Sequence, residues 1–462
     1  MSTRTMSWAA VATCGLALAL APAAASAAGG LYVMDAGAGG VGTVAQFGLA
    51  ATGAPTPLSP ASVTTGGEPQ HLAVSADGRF AYVSAAQTGQ LFAYRVGASG
   101  ALTPLATPSV AVGVGAHGVS ITPDGRFLYV GNQASGTVSQ LRVGPDGVPV
   151  ALSPATVASG PGASGVAISP DGRSVYVTNL NGRSVSQYSA DPDTGALTPK
   201  TPATVSTPPL PSGLAVSPDG RSLFVGALSG HVAQFDIDRR SGALSPKRPA
   251  TVRVGVGGLG GAGVAITPDG RFLYTPNSVA NTIAQFAIGA GGRLSALRPG
   301  FARAGAGPQG VAMAPDGRTL YASAAGDGTV WAWRIGATGR LQALGTPASA
   351  GAGPHGVTVT PTQGPIARFS VRRTGAVVRL DGRASRDPDG RVARYAWRLG
   401  DGHRATGATV THRFERPGRY RIRLVVTDDA GCSSRVIYTG QSALCNGSAR
   451  AVATRTVTVT VR

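Results

Sequence analysis

The chain has 462 residues, only 13% of them charged, with 68 Gly and 33 Pro. That balance excludes a long helical bundle and points to an all-β protein with many tight turns. The formal charge of +19 suggests a polyanion ligand, because a basic surface attracts phosphate without reading sequence. Its distribution argues otherwise: residues 366–462 hold 19 Arg against 7 acids, a net of +12, and Arg419, Arg421 and Arg423 alternate with apolar residues as on a solvated sheet face. No specific nucleic-acid partner is expected, while an acidic cell-wall polymer stays open.

Residues 1–27 carry one basic residue, Arg4, then the apolar run Leu16-Ala17-Leu18-Ala19-Leu20, and end in Ala25-Ser26-Ala27. This reads as a secretory signal peptide, with no transmembrane segment after its cleavage. Cys14 sits too early in the apolar run for a lipoprotein site. Two cysteines then remain, Cys432 and Cys445, and in an oxidising compartment a disulfide between them is expected. Neither has a second Cys or a His at zinc spacing, so no metal is expected.

The central part is repetitive. Asp-Gly-Arg turns begin at Asp77, Asp124, Asp171, Asp219, Asp269 and Asp316, at intervals of 47 to 50 residues. Each unit reads as a short strand (Gly165 to Ser169), the turn, a strand with an aromatic (Ser174 to Val177), a polar turn, and a third strand (Ser184 to Tyr188). A Gly-Ala-Leu-Thr-Pro segment follows. Four strands per unit make a propeller blade. Asp-Gly suits a turn that needs positive φ, so these carboxylates are read as structural. Gln46, Gln140, Gln187, Gln234 and Gln285 recur on the third strand, and such repetition predicts a blade-to-blade hydrogen bond rather than a ligand site.

A seventh unit is split between the two ends. Leu31 to Val33 and Thr43 to Phe47 match second and third strands without a first, whereas Pro354 to Val359 matches a first strand without the rest. Joining them closes the ring and removes exposed edges. The prediction is a seven-bladed β-propeller of four-stranded blades over 28–362, its N- and C-terminal strands closing one blade. With Tyr129-Val130-Gly131-Asn132, Tyr176-Val177-Thr178-Asn179 and Tyr274-Thr275-Pro276-Asn277 each following Pro-Asp-Gly-Arg, these units resemble the YVTN repeat family and the seven-bladed lactonase-like propellers.

After Thr362-Gln363-Gly364-Pro365, read as a linker, the repeat stops. Asp387-Pro388-Asp389-Gly390, Tyr395-Ala396-Trp397, Leu399-Gly400-Asp401-Gly402 and Val426-Thr427-Asp428-Asp429 follow in order. Residues 363–462 resemble a PKD (polycystic kidney disease) domain, an immunoglobulin-like β-sandwich that acts as a spacer or contact surface. Arg398 stands where the family usually has Asp. Trp397 is expected in the core rather than as a sugar platform, and the Cys432–Cys445 insertion as a stapled hairpin near the last strand.

Propellers bind ligands at the axial mouth, where first strands converge and repeats are free to diverge. The column seven residues before each turn Asp reads Gln70, His117, Ser164, Ser212, Ala262 and Gln309, with His355 from the closing strand. His71 lies one position later in its blade, near Glu68, the propeller's single Glu. Glu68, His71 and His117 are the acid/base candidates, and Gln70, Ser164, Ser212, Gln309 and His355 the ligand-binding ones. The column has no Arg, a departure from the lactonase-like pattern. The expectation is a secreted or cell-surface interaction protein, monomeric, without a cofactor, whose partner is a protein, carbohydrate or surface polymer. The alternative, implied by the resemblance, is a 6-phosphogluconolactonase-like hydrolase of an extracellular lactone, with His71 or His117 activating water.

Overall fold

The computed structural model describes residues 29–37, 41–50, 52–254 and 263–460. The expected signal segment and Ala262 lie outside the described residues.

Seven antiparallel sheets follow one another, six of four strands and the last with its outer strand split into Leu341–Ala343 and Ala348–Ser349. In blade 1 the innermost strand is Pro354–Val359, which pairs with Gly30–Asp35 through Leu31–Val359, Tyr32–Thr358 and Val33–Val357. The ring is closed as the split repeat predicts. Blades 2 to 7 begin with inner strands Pro69–Val74, Ala116–Ile121, Ala163–Ile168, Pro211–Val216, Ala265–Ile266 and Pro308–Met313.

Adjacent blades are joined by two recurring bonds. A second-strand tyrosine donates to a carbonyl in the next blade: Tyr32 to Gly100 at 2.6 Å, Tyr129 to Gly195 at 2.8 Å, and across the closure Tyr321 to Gly53 at 2.8 Å. The third-strand glutamine also reaches the neighbouring blade. Gln46 Oε1 accepts from the Leu102 amide and Gln140 Oε1 from that of Leu197, both at 2.6 Å, and Gln187, Gln234 and Gln285 repeat the bond. Burial of these otherwise unsatisfiable groups makes each pair obligatory. The Asp-Gly-Arg carboxylates are occupied locally, as Asp171 shows by accepting from Ser169 Oγ at 2.5 Å and the Arg173 amide at 3.1 Å.

The C-terminal module is a sandwich of a three-stranded sheet (Ser370–Thr374, Val377–Asp381, Thr409–Arg413) and a four-stranded one (Val392–Arg398, Arg404–Thr406, Gly418–Asp428, Val452–Val459). Trp397 is buried between them, edge-on to Phe369 at 5.2 Å, its indole N–H on the Gly407 carbonyl at 2.8 Å. Arg419, Arg421 and Arg423 are exposed while Ile422 and Leu424 are buried.

The insertion is a stapled hairpin, with Cys432 and Cys445 bonded and their Cα atoms 5.6 Å apart, and it reaches beyond the sandwich. Strands Ile437–Tyr438 and Ala443–Asn446 carry their connecting turn into one end of the propeller channel. There the Ile168 amide donates to Gly440 O at 2.7 Å, that of Val216 to Thr439 O at 2.9 Å, that of Ile121 to Gln441 O at 3.2 Å, and that of Val74 to Ser442 Oγ at 3.0 Å. The Tyr438 hydroxyl donates to Ile121 O at 2.6 Å, and burial raises its pKa well above the usual phenol value. Gly440 has φ +120, and a Cβ there would meet that of Ala167 at 2.8 Å, so only glycine fits. Residues 362–363, expected within a linker, form a short strand parallel to Ala443–Asn446.

Beside this junction Asp387, Asp389 and Asp428 each leave one buried carboxylate oxygen without a partner. Burial, then the neighbouring carboxylates, pushes the Asp387 pKa up to about 7; burial raises Asp428 to about 6 against the bond from the Cys432 amide. Folded-state pKa values above the unfolded ones mean that the proton-linked stability is present at low pH and lost as pH rises through about 6 to 7. The melting temperature of the intact chain should therefore be lower at about pH 8 than at about pH 5.5, and Asp387→Asn should flatten that dependence. Tyr438→Ala should destabilise the chain in denaturant unfolding by about 3 kcal/mol.

Candidate active site at the open end of the channel

Gln70, His117, Ser164, Ser212, Gln309 and His355 are each the second residue of their inner strand, whereas the amides held by the hairpin are the sixth: Val74, Ile121, Ile168 and Val216. At a rise of about 3.3 Å per residue the two levels are about 13 Å apart. One end of the channel is plugged by the hairpin, and the histidines ring the other.

Inner strands come unusually close there. The residue after the column is glycine in most blades, and a Cβ on Gly118 would meet Ser164 O at 2.4 Å, one on Gly165 would meet Ser212 O at 2.2 Å, and one on Gly356 would meet Gln70 O at 2.6 Å. Blade 2 alone departs, with His71 in the glycine position. The column itself was legible, but the glycines beside it, and His71 as the exception to them, carried a signal that the sequence analysis did not use.

Three histidines meet at this level. The His71 and His117 ring centroids are 5.2 Å apart. His117 Nδ1 lies 3.2 Å from Ser164 Oγ, and His355 Nδ1 lies 3.1 Å from Gln309 Oε1. Burial, then the His355 charge, lowers the His71 pKa to about 4; burial, then His71 and His355, lowers His117 to about 3. Both are neutral imidazoles at neutral pH. Their backbone is fixed by second-strand hydroxyls, since Ser84 Oγ bonds the His117 carbonyl and Ser323 Oγ that of His355.

The remaining predicted residues take lesser parts. Glu68 is half-buried, and its carboxylate makes no hydrogen bond or ion pair among the described residues. Its backbone carbonyl accepts from the Ala86 amide at 2.8 Å. Ser212 contributes a carbonyl that accepts from Thr178 Oγ1 at 2.7 Å. Gln70 is half-buried at the rim. A separate cleft of about 600 Å³ lies between the turns of blades 5 and 6 and the start of the insertion, lined by Asp219, Arg221, Asp269, Ser433 and Arg435. It is remote from the histidines.

A closed seven-bladed propeller with a one-ended axial channel and an attached sandwich defines the class of protein. The model of the family "Lactonase, 7-bladed beta-propeller" matches residues 31–300, and that of the PKD domain residues 359–439. The chain belongs to the lactonase family of seven-bladed β-propellers and carries a C-terminal PKD domain. Among solved structures, a putative 6-phosphogluconolactonase of Bacteroides fragilis is similar at 20% identity, with 73% of this chain and 99% of that one covered and a TM-score of 0.62. The periplasmic gluconolactonase PpgL of Pseudomonas aeruginosa is similar at 23% identity, with 71% and 99% covered and a TM-score of 0.59. These likenesses establish the fold. Among curated proteins, the collagenase ColA of Clostridium perfringens is 39% identical over 54 residues, 12% of this chain and 5% of that protein. The pre-pro-metalloprotease PrtV of Vibrio cholerae is 38% identical over 69 residues, 15% and 7% respectively.

Neutral histidines at this depth have a spectroscopic consequence. The ring Cε1–H resonances of His71 and His117 should not titrate between about pH 5 and 8 in a proton–carbon correlation spectrum, whereas an inflection near the ordinary imidazole value would contradict the site as described.

Proposed function

We propose that this is an exported binding protein that takes a small, uncharged, polyhydroxylated ligand at the histidine-lined mouth of its channel, with the PKD domain as spacer and plug. The observation that carries this reading is His71. It stands where neighbouring inner strands need glycine for close approach, so a packing position has been given to a polar side chain facing His117. Around it the imidazoles, Ser164 and Gln309 offer both donors and acceptors without net charge, which matches sugar hydroxyls and rings better than a phosphate. The disulfide and the PKD domain support export, since such bonds persist in oxidising compartments.

A second reading, hydrolysis of an extracellular lactone, is favoured by family membership and by the His117–Ser164 contact of 3.2 Å. An imidazole with a pKa near 3 to 4 is a weak general base at neutral pH, which favours binding over hydrolysis.

Calorimetry with a panel of neutral sugars and sugar lactones, alongside a hydrolysis assay, separates the two. His71→Gly restores the neighbouring blades' residue and should leave the melting temperature within about 2 °C while weakening binding at least roughly tenfold. Turnover abolished in His71→Ala/His117→Ala would establish the hydrolase instead, and unchanged binding in His71→Gly would remove the site from the mouth.

A further inference from the structure

Outside the propeller, two histidines and one aspartate meet at an end of the sandwich. Asp401 and His403 belong to the turn between strands Val392–Arg398 and Arg404–Thr406, and Gly400 and Gly402 hold it with φ of +89 and +96. Asp401 Oδ1 accepts the His403 amide at 3.1 Å. That bond folds the His403 ring back, so that its Nδ1 is 3.2 Å from Asp401 Oδ2. His412 arrives from the opposite sheet, on strand Thr409–Arg413, and its Nε2 is 2.6 Å from the same Oδ2. Its ring is fixed edge-on to Phe414 at 4.6 Å, which stacks on Tyr420 at 4.0 Å.

We propose that Asp401, His403 and His412 form a binding site for Zn²⁺ or a similar first-row divalent ion, which ties the two sheets of the sandwich together. One carboxylate oxygen and two ring nitrogens lie within 4.8 Å of one another. Tetrahedral zinc with bonds of about 2.0–2.1 Å requires ligand atoms about 3.4 Å apart, so the contacts of 2.6 and 3.2 Å open by less than an ångström to admit it. Asp401 and His412 side chains are only 17% and 15% exposed and supply a preset pair, while His403, 65% exposed, swings in at little cost. Two imidazoles and one carboxylate suit zinc, cobalt, nickel or copper; calcium and magnesium prefer all-oxygen sets. Water completes the coordination, and any imidazole proton standing in the metal's place is released on binding.

The site is independent of the channel, and the experiment distinguishes them. The untagged full-length chain is titrated with Zn²⁺ by calorimetry, with Co²⁺ absorption reporting coordination by nitrogen and oxygen. Saturable one-to-one binding is expected, with a metal-dependent rise in melting temperature. His403→Ala and His412→Ala should each weaken affinity by roughly tenfold or more, and His71→Gly should not. Circular dichroism confirms that the variants are folded, and His403→Gln gives a second, milder probe should His412→Ala unfold the sandwich. Absence of saturable binding, or affinity in His403→Ala and His403→Gln equal to that of the unsubstituted chain, would overturn the proposal.

Discussion

The innermost strand of a propeller blade has an edge with no strand beside it, and the backbone groups on that edge must find partners around the axis. This chain meets the requirement in two ways. Hydroxyls of adjacent strands take the carbonyls: Thr358 Oγ1 donates to Leu72 O at 2.8 Å, Ser120 Oγ to Val166 O at 2.7 Å, and Thr178 Oγ1 to Ser212 O at 2.7 Å. At the end facing the sandwich, amides of blades 2 to 5 are taken by a hairpin that belongs to the other domain.

From that arrangement the asymmetry of the channel follows. Strands that share hydroxyl latches must approach closely, which forces glycine beside the column residues and leaves little room for side chains near the axis. A histidine in that glycine column is costly to packing, and divergence from a repeat at such a position is what a ligand site requires. The plug removes one entrance, so any ligand reaching His71 and His117 does so from the opposite mouth. Enclosure then holds both rings neutral, which shapes the chemistry toward hydrogen bonding rather than charge.

Much of this was legible because the repeat is strict. The interval between Asp-Gly-Arg turns gave the blades, the orphan strands at Leu31 and Pro354 gave the closure, and the recurrence of Gln140 and its equivalents marked them as inter-blade bonds. The hairpin escaped because its partners are inner edges of four blades, a relation that no local pattern encodes. An apolar Ile437-Tyr438 and Ala443-Leu444 pair around Thr439-Gly440-Gln441-Ser442, in a domain otherwise faced with arginine, was its available trace. Proximity in sequence also misleads at Glu68: it lies three residues from His71, yet the two side chains are not paired. His403 and His412 stand nine residues apart, too far for a short zinc-ligand spacing to mark them, and the fold brings them together from two sheets.

The most direct test is native-state hydrogen exchange of the intact chain against one in which residues 434–444 are replaced by a short Gly-Ser loop. The account predicts that the amides of Val74, Ile121, Ile168 and Val216 lose protection in the replaced chain while the outer strands of the same blades keep theirs. Equal protection of those four amides in both chains would contradict the hairpin as the partner of the inner edges, and with it the one-ended channel.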